Sequence, residues 1–178
     1  MRERGMALIL VLVFLTSLAS PSLLSADAAK AESSQLDQST LDIVMLGNSY
    51  TSNNQLHVRV NNLLDAAGLD PDVQALTSGG KTLAWHGEQA DTEGTSWYDT
   101  LRESHDYIVL QDQSQVPGFP TSSSYWQDSL AGAEIIDALV EAEGGDTFFM
   151  MTWGYRFGDE SNQWRFPDFS TMQHHLKT

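Results

Sequence analysis

Residues 41–52 read LDIVMLGNSYTS, and the whole chain is interpreted outward from this stretch. Residues 41–46 form a nearly continuous apolar run, as a strand buried on both faces requires. The run stops at Gly47-Asn48-Ser49. Leu56, Val60, Leu63 and Leu64 then recur at helical spacing until Gly68 supplies a stop. A buried strand running into an amphipathic helix is half of a βαβ unit.

The same alternation continues downstream. Pro71 opens a second apolar run at 73–76, which ends at Ser78-Gly79-Gly80. After a stretch containing Trp and Gly, residues 97–101 suggest a turn or two of helix, and YIVL at 107–110 is a third strand. Pro117 and Pro120 break the chain. Ser124 with Gln127 three residues on has capping-box spacing, and Leu130, Ala133, Ile136, Leu139 and Val140 supply the apolar face of the helix that follows. Gly144-Gly145 end it, and TFFMMT at 147–152 is a fourth strand leading to Trp153-Gly154. Ser170 and Gln173 mark one more helix start. Apolar strands alternating with helices predict a mainly parallel sheet covered on both faces, a three-layer α/β/α sandwich with right-handed crossovers. Four strands leave an unprotected edge, and the last helix has only eight residues after Ser170, so the expected sandwich is incomplete at its C-terminal side.

Upstream, Arg2 and Arg4 precede an uncharged apolar run at 6–18, and Ala26-Asp27-Ala28 offers small residues where a signal peptidase reads. The expectation is a signal peptide over 1–28, a polar linker over 29–40 and one domain over 41–178, in a secreted or periplasmic protein. The apolar run is shorter than the ~20 residues of a membrane-spanning helix, so no stable membrane anchor is expected after cleavage. With no cysteine in the chain there is neither a disulfide nor a lipid-modified cysteine. The core alone must hold the domain together. A net charge of −15 argues against nucleic acid or an anionic membrane surface as partner.

In an open parallel sheet, ligands bind beyond the carboxyl ends of the strands. The segments at those ends are Gly47-Asn48-Ser49-Tyr50-Thr51-Ser52, Ser78-Gly79-Gly80-Lys81-Thr82, Gln111-Asp112-Gln113-Ser114-Gln115 and Trp153-Gly154-Tyr155-Arg156. All four belong on one rim. A serine at a strand-to-helix turn sits among free backbone N–H groups, which favour a developing oxyanion; the plain alternative is that Ser49, Thr51 or Ser52 caps the helix.

Taken together in this order, the four segments resemble the blocks of the SGNH (GDSL-like) serine hydrolases, particularly a subgroup whose first block reads Gly-Asn-Ser. The resemblance implies an SGNH-hydrolase, flavodoxin-like sandwich and an esterase or acetylesterase with no cofactor or metal. Ser49 falls on the nucleophile, and Gly80 on the second-block glycine whose N–H faces the oxyanion. Gln113 falls on the asparagine that gives a second donor. Glutamine has the same amide on a longer arm. Gln111 replaces the family's glycine, a departure from the pattern. Thr152-Trp153-Gly154 matches the run after the next strand. Asn48, Gln111, Trp153 and Tyr155 are assigned to substrate binding, the aromatics as a platform for a sugar ring or acyl group. The implied partner is a small-molecule or polysaccharide ester.

The family's last block, an Asp three residues before a His, has no counterpart. Asn54, Leu83, Arg102, Thr171 and Met172 stand three residues before His57, His86, His105, His174 and His175. His57 and His86 are within reach of the rim, but spacing singles out neither. The chain is therefore expected to be nearly inactive by itself, its parent protein hydrolysing esters. The alternative is a non-catalytic exported carbohydrate-binding protein on the same fold. No His-acid cluster has zinc spacing. Gly79-Gly80-Lys81-Thr82 lacks the first glycine of a phosphate loop, because Ala75 stands there.

Overall fold

A computed structural model describes residues 40–178; the expected leader and nearly all of the linker lie outside the described residues. Four strands, β1 (Leu41–Gly47), β2 (Pro71–Thr77), β3 (Tyr107–Leu110) and β4 (Asp146–Phe149), form one sheet in the order β2-β1-β3-β4. Every pair is parallel, as expected. The helices are α1 (Ser49–Ser52), α2 (Leu56–Ala66), α3 (Leu83–Ala90), α4 (Ser96–Thr100), α5 (Ser124–Glu143) and α6 (Phe169–Lys177).

The period of two along each strand divides the core between the sheet's two faces. Val44, Leu46, Ile108 and Leu110 point to one side, where Leu83, Ala90, Ala133, Ile136 and Val140 from α3 and α5 meet them. Ile43, Met45 and Val73 point to the other, against Leu56, Val60 and Leu64 of α2. The architecture is the three-layer α/β/α sandwich. Full burial of each such aliphatic side chain is worth about 1.5–3 kcal/mol, so β1, buried on both faces, anchors the fold.

The crossing of α3 and α5 depends on glycine. A Cβ on Gly132 would stand 2.2 Å from the Leu83 carbonyl oxygen, and one on Gly87 would stand 2.6 Å from the Gly132 Cα. The two backbones touch. A third cluster, Phe166, Met172 and Leu176, seats α6 against the chain ahead of it.

Several boundaries differ from expectation. Residues 83–90, for which the sequence suggests no element, form α3, capped by Thr82 accepting from the Trp85 N–H. β4 begins at Asp146 and ends at Phe149, because after the Met150 N–H reaches the Leu110 carbonyl the chain leaves the ladder. Ser123, not Ser124, is the N-cap of α5, and its side chain makes no capping bond. Asp168 caps α6 in place of Ser170, accepting from the Thr171 N–H at 2.8 Å. The outer edge of β4 has no strand beside it among the described residues, and Phe149 is 68% exposed.

Candidate functional site

The strand order brings the loops after β2, β1 and β3 side by side, roughly one strand spacing of ~4.8 Å apart. These are the loops of Gly80, Ser49 and Gln113. Direct bonds join them. The Asn48 side chain donates to the Lys81 carbonyl at 3.0 Å and accepts from the Tyr50 N–H at 3.1 Å, capping α1. From β3, Gln111 reaches across: its Oε1 accepts from the Asn48 N–H at 3.0 Å and from Thr51 Oγ1 at 2.9 Å. Its Nε2 donates to Asn48 Oδ1 at 3.1 Å and to the Asp112 carbonyl.

This geometry corrects one expectation. Gln111 is fully buried and Asn48 nearly so, with all their polar atoms engaged inside the protein. Neither side chain is placed to touch a ligand; both hold the Ser49 turn in shape. The glycine at the end of β1 has the same origin. A Cβ on Gly47 would lie 2.4 Å from Thr51 Oγ1 and 2.5 Å from Gln111 Oε1.

Ser49 is the first residue of α1 and is half-buried at the rim. Gly80 occupies the third position of the Ser78–Lys81 turn, closed by the Lys81 N–H on the Ser78 carbonyl at 3.2 Å. Its φ of +70° is the left-handed value a type II turn needs at that position, and glycine meets it without strain. A Cβ there would meet nothing within 4 Å, so conformation rather than space selects glycine. Gln113 is half-buried, and its Oε1 accepts from the Gln115 N–H at 3.1 Å. With the amide oxygen held, Nε2 makes no hydrogen bond to another described residue.

Asp112, to which the sequence alone assigns no role, braces this arrangement from beneath. Its Oδ1 accepts from the Leu83 N–H at 2.9 Å, the Gln113 N–H at 2.7 Å and Ser129 Oγ at 3.3 Å. Burial pushes its pKa above the usual carboxylate range, while the Leu83, Gln113 and Ser129 donors pull the other way. It also borders an apolar cleft of about 320 Å³ between α5, β4 and α6.

The β4 loop joins the rim through a second network. Thr152 Oγ1 donates to the Ser114 carbonyl at 3.2 Å, Tyr155 Oη donates to Gln115 Oε1 at 2.9 Å, and Ser114 Oγ meets Tyr155 Oη. Trp153 packs on Tyr50 with ring centroids 4.7 Å apart, which carries the β4 loop over the residue next to Ser49. Burial raises the Tyr50 pKa, and the neighbouring Tyr155 adds to the effect. Trp153, Tyr155, Arg156 and Phe169 line an open groove of about 610 Å³.

The histidines do not complete a triad among the described residues. His86 is fully buried, and its Nδ1 accepts from Trp97 Nε1 at 2.8 Å. Its Nε2 lies towards the Gly47 carbonyl without closing a hydrogen bond. Burial lowers its pKa to about 4. An imidazole with its free lone pair already occupied has no means of taking a proton from Ser49. His105 pairs with Asp42 at 2.8 Å and with the Thr100 carbonyl at 2.9 Å. That pair stands at the opposite end of β1 from Ser49, about 20 Å away at ~3.3 Å per residue. His57 lies on α2, and His174 and His175 on α6.

Among the described residues, no group of three or more His, Cys, Asp or Glu side chains is arranged to hold a metal ion. No helix among them is long and apolar enough to cross a membrane.

No protein-family model matches the chain. No curated protein matches it either. Among solved structures, the fold is similar to the crystal structure of a DUF4886 family protein from Bacteroides uniformis ATCC 8492, with a TM-score of 0.59 and 18% identity over 78% of this chain. This chain spans 60% of the length of that protein, and the likeness is one of fold.

Proposed function

We propose that this chain carries the nucleophile and oxyanion donors of an SGNH-type serine esterase acting on a carboxylic ester. Ser49 Oγ attacks the ester carbonyl carbon as its proton passes to solvent, and the carbonyl oxygen becomes an oxyanion. When the carbonyl re-forms, the bond to the alcohol oxygen breaks, the alcohol leaves with a proton from solvent, and the acyl group stays on Ser49 until water hydrolyses it. The Ser49 and Gly80 N–H groups and Gln113 Nε2 are the donors for the oxyanion. The observation that carries the reading is the bonded tie between adjoining loops. Asn48 joins the Gly80 turn to the Ser49 turn, and Gln111 joins the Ser49 turn to the end of β3. Buried polar groups fix three loops whose members at the rim are a serine, a left-handed glycine and an amide. Fully satisfied networks of this kind rigidify what they hold.

None of the five histidines is positioned by a carboxylate beside Ser49, so a base would come from outside residues 41–178. Without one, catalysis by oxyanion donors and binding alone is expected, of the order of 10³–10⁴ over water. The test is p-nitrophenyl acetate with the full chain. The expected result is slow turnover with one acetyl group retained on Ser49, seen by peptide mass analysis and absent in Ser49→Ala. Acetylation at some other residue, or an unchanged rate in Ser49→Ala, would sink the proposal. The absence of a paired histidine also favours a second reading, a binding protein on the same rim. In that case neither protein turns over, while carbohydrate binding survives Ser49→Ala.

A further inference from the structure

We infer that the groove following β4 holds a sugar ring bearing a carboxylate, with Arg156 as the carboxylate's partner. The inference rests on the esterase reading for its function, as the subsite for the alcohol part of the substrate next to Ser49. The groove is built into the fold. Gly154 lies against α6 so closely that a Cβ would be 2.8 Å from the Phe169 carbonyl oxygen. Its N–H donates to Gln173 Oε1 at 3.1 Å, and the Tyr155 N–H faces Met172 Sδ at 3.2 Å. This docking sets Trp153, Tyr155 and Phe169 around one open space of about 610 Å³.

The chemistry of the lining is specific. Trp153 is 57% exposed although its ring already packs on Tyr50, so a broad aromatic face is left to solvent at the rim. Such faces stack on the apolar side of a pyranose ring. Arg156 stands beside it, exposed, with its guanidinium 5.1 Å from the Phe157 ring and no carboxylate partner among the described residues. The other described arginines, Arg59, Arg102 and Arg165, each donate to a backbone carbonyl, whereas Arg156 donates to no acceptor among the described residues, so its donors are available to a ligand. The planar guanidinium fork matches a carboxylate bidentately, which an ammonium or a neutral amide does not. The acidic body of the protein repels polyanions at long range, but ~8 Å of screening at physiological salt leaves the contact at Arg156 to decide for a short ligand.

The test is calorimetric binding of trigalacturonate and of the neutral xylotriose to the full chain and to its Arg156→Gln, Arg156→Lys and Trp153→Ala variants. The acidic trisaccharide is expected to bind at least tenfold more tightly than the neutral one. Arg156→Gln should remove that preference while leaving xylotriose binding unchanged; Arg156→Lys should restore only part of it, and Trp153→Ala should weaken both ligands. Equal binding of the two, a preference that survives Arg156→Gln, or no binding of either overturns the inference. Parallel p-nitrophenyl acetate assays separate the two proposals. Acidic preference without Ser49-dependent acetylation leaves the groove standing and fells the esterase; acetylation without the preference does the reverse.

Discussion

Single residues in this protein do work that their sequence context does not display. Gln111 sits where the resemblance places a glycine, and reads as a ligand contact. In the fold its amide spans 63 positions of sequence to bond both the N–H and the side chain of Asn48. Strand periodicity says which face a residue takes, but not that its amide ends on another strand's turn. His86 was equally illegible, because a histidine in a Trp- and Gly-containing stretch carries no mark of burial. Its lowered pKa has a consequence for stability. A histidine whose folded pKa falls from 6.5 to about 4 contributes stability that is complete above pH 6.5 and is lost as pH falls towards 4. The unfolded chain takes up the proton first. The full loss is about 3 kcal/mol at 1.36 kcal/mol per pKa unit. Asp112, shifted upward by burial, acts in the opposite direction, stabilising the fold as pH falls, so the comparison needs a variant. Urea unfolding at pH 7 and pH 4.5 is expected to show a drop in wild type that is smaller by about 2 kcal/mol in His86→Gln, whose amide can still accept from Trp97. An identical pH drop in both proteins would show that His86 is protonated in the native state.

Elements were more legible than residues wherever burial on two faces produced an unbroken apolar run. β1 and β3 follow from such runs, since Ile43, Val44, Met45 and Leu46 are all buried, facing alternate sides. α3 was missed for the converse reason. It is eight residues long, and two of its four buried positions, His86 and Gly87, are not residues that announce a core. Gly87 and Gly132 have meaning only as a pair, at a crossing between elements far apart in sequence. The crossing predicts that Gly132→Ala destabilises the protein, although alanine favours helix. Helix propensity would add up to ~1 kcal/mol of stability to α5. Against this, a Cβ would have to stand 2.2 Å from the Leu83 carbonyl oxygen, on backbone that cannot rotate aside. Overpacking of this kind costs about 1–3 kcal/mol, so the net sign is a loss, read as a lower urea midpoint with an unchanged slope. Gly144→Ala is the contrasting case, since open space surrounds it and only its φ of +89° is strained. Its effect should stay near 1 kcal/mol. Equal stability of Gly132→Ala and wild type would show that the two helices have room to separate.

At the scale of the whole molecule, the parallel sheet sorts the chemistry by strand end. The alternation of apolar runs and helical patterns sufficed to place Ser49, Gly80, Gln113 and Trp153 on one rim, because all four follow strands that point the same way. It gave no means of seeing the other end, where Asp42 and His105 come together across 63 positions. Removing Asp42 leaves a buried imidazole without its carboxylate, a loss of about 1–3 kcal/mol for a partly exposed partner. On the esterase proposal, removing the Gln113 amide deletes one proposed oxyanion donor, a loss of about 10²–10³ in rate where such donors have been deleted, and frees the Gln115 N–H that its oxygen holds. The two sites lie about 20 Å apart along β1, beyond the ~7–10 Å within which substitutions couple. Asp42→Ala is therefore expected to lower the urea midpoint and leave the rate of Ser49 acetylation by p-nitrophenyl acetate unchanged. Gln113→Ala is expected to slow that acetylation while costing no more than the roughly 0.5–1.5 kcal/mol of the lost Gln115 N–H bond, and the double variant to show both effects in full. A loss of acetylation in Asp42→Ala at temperatures where it remains folded would place the Asp42–His105 pair in the chemistry of Ser49, and the division of labour between the two ends of the sheet would be wrong.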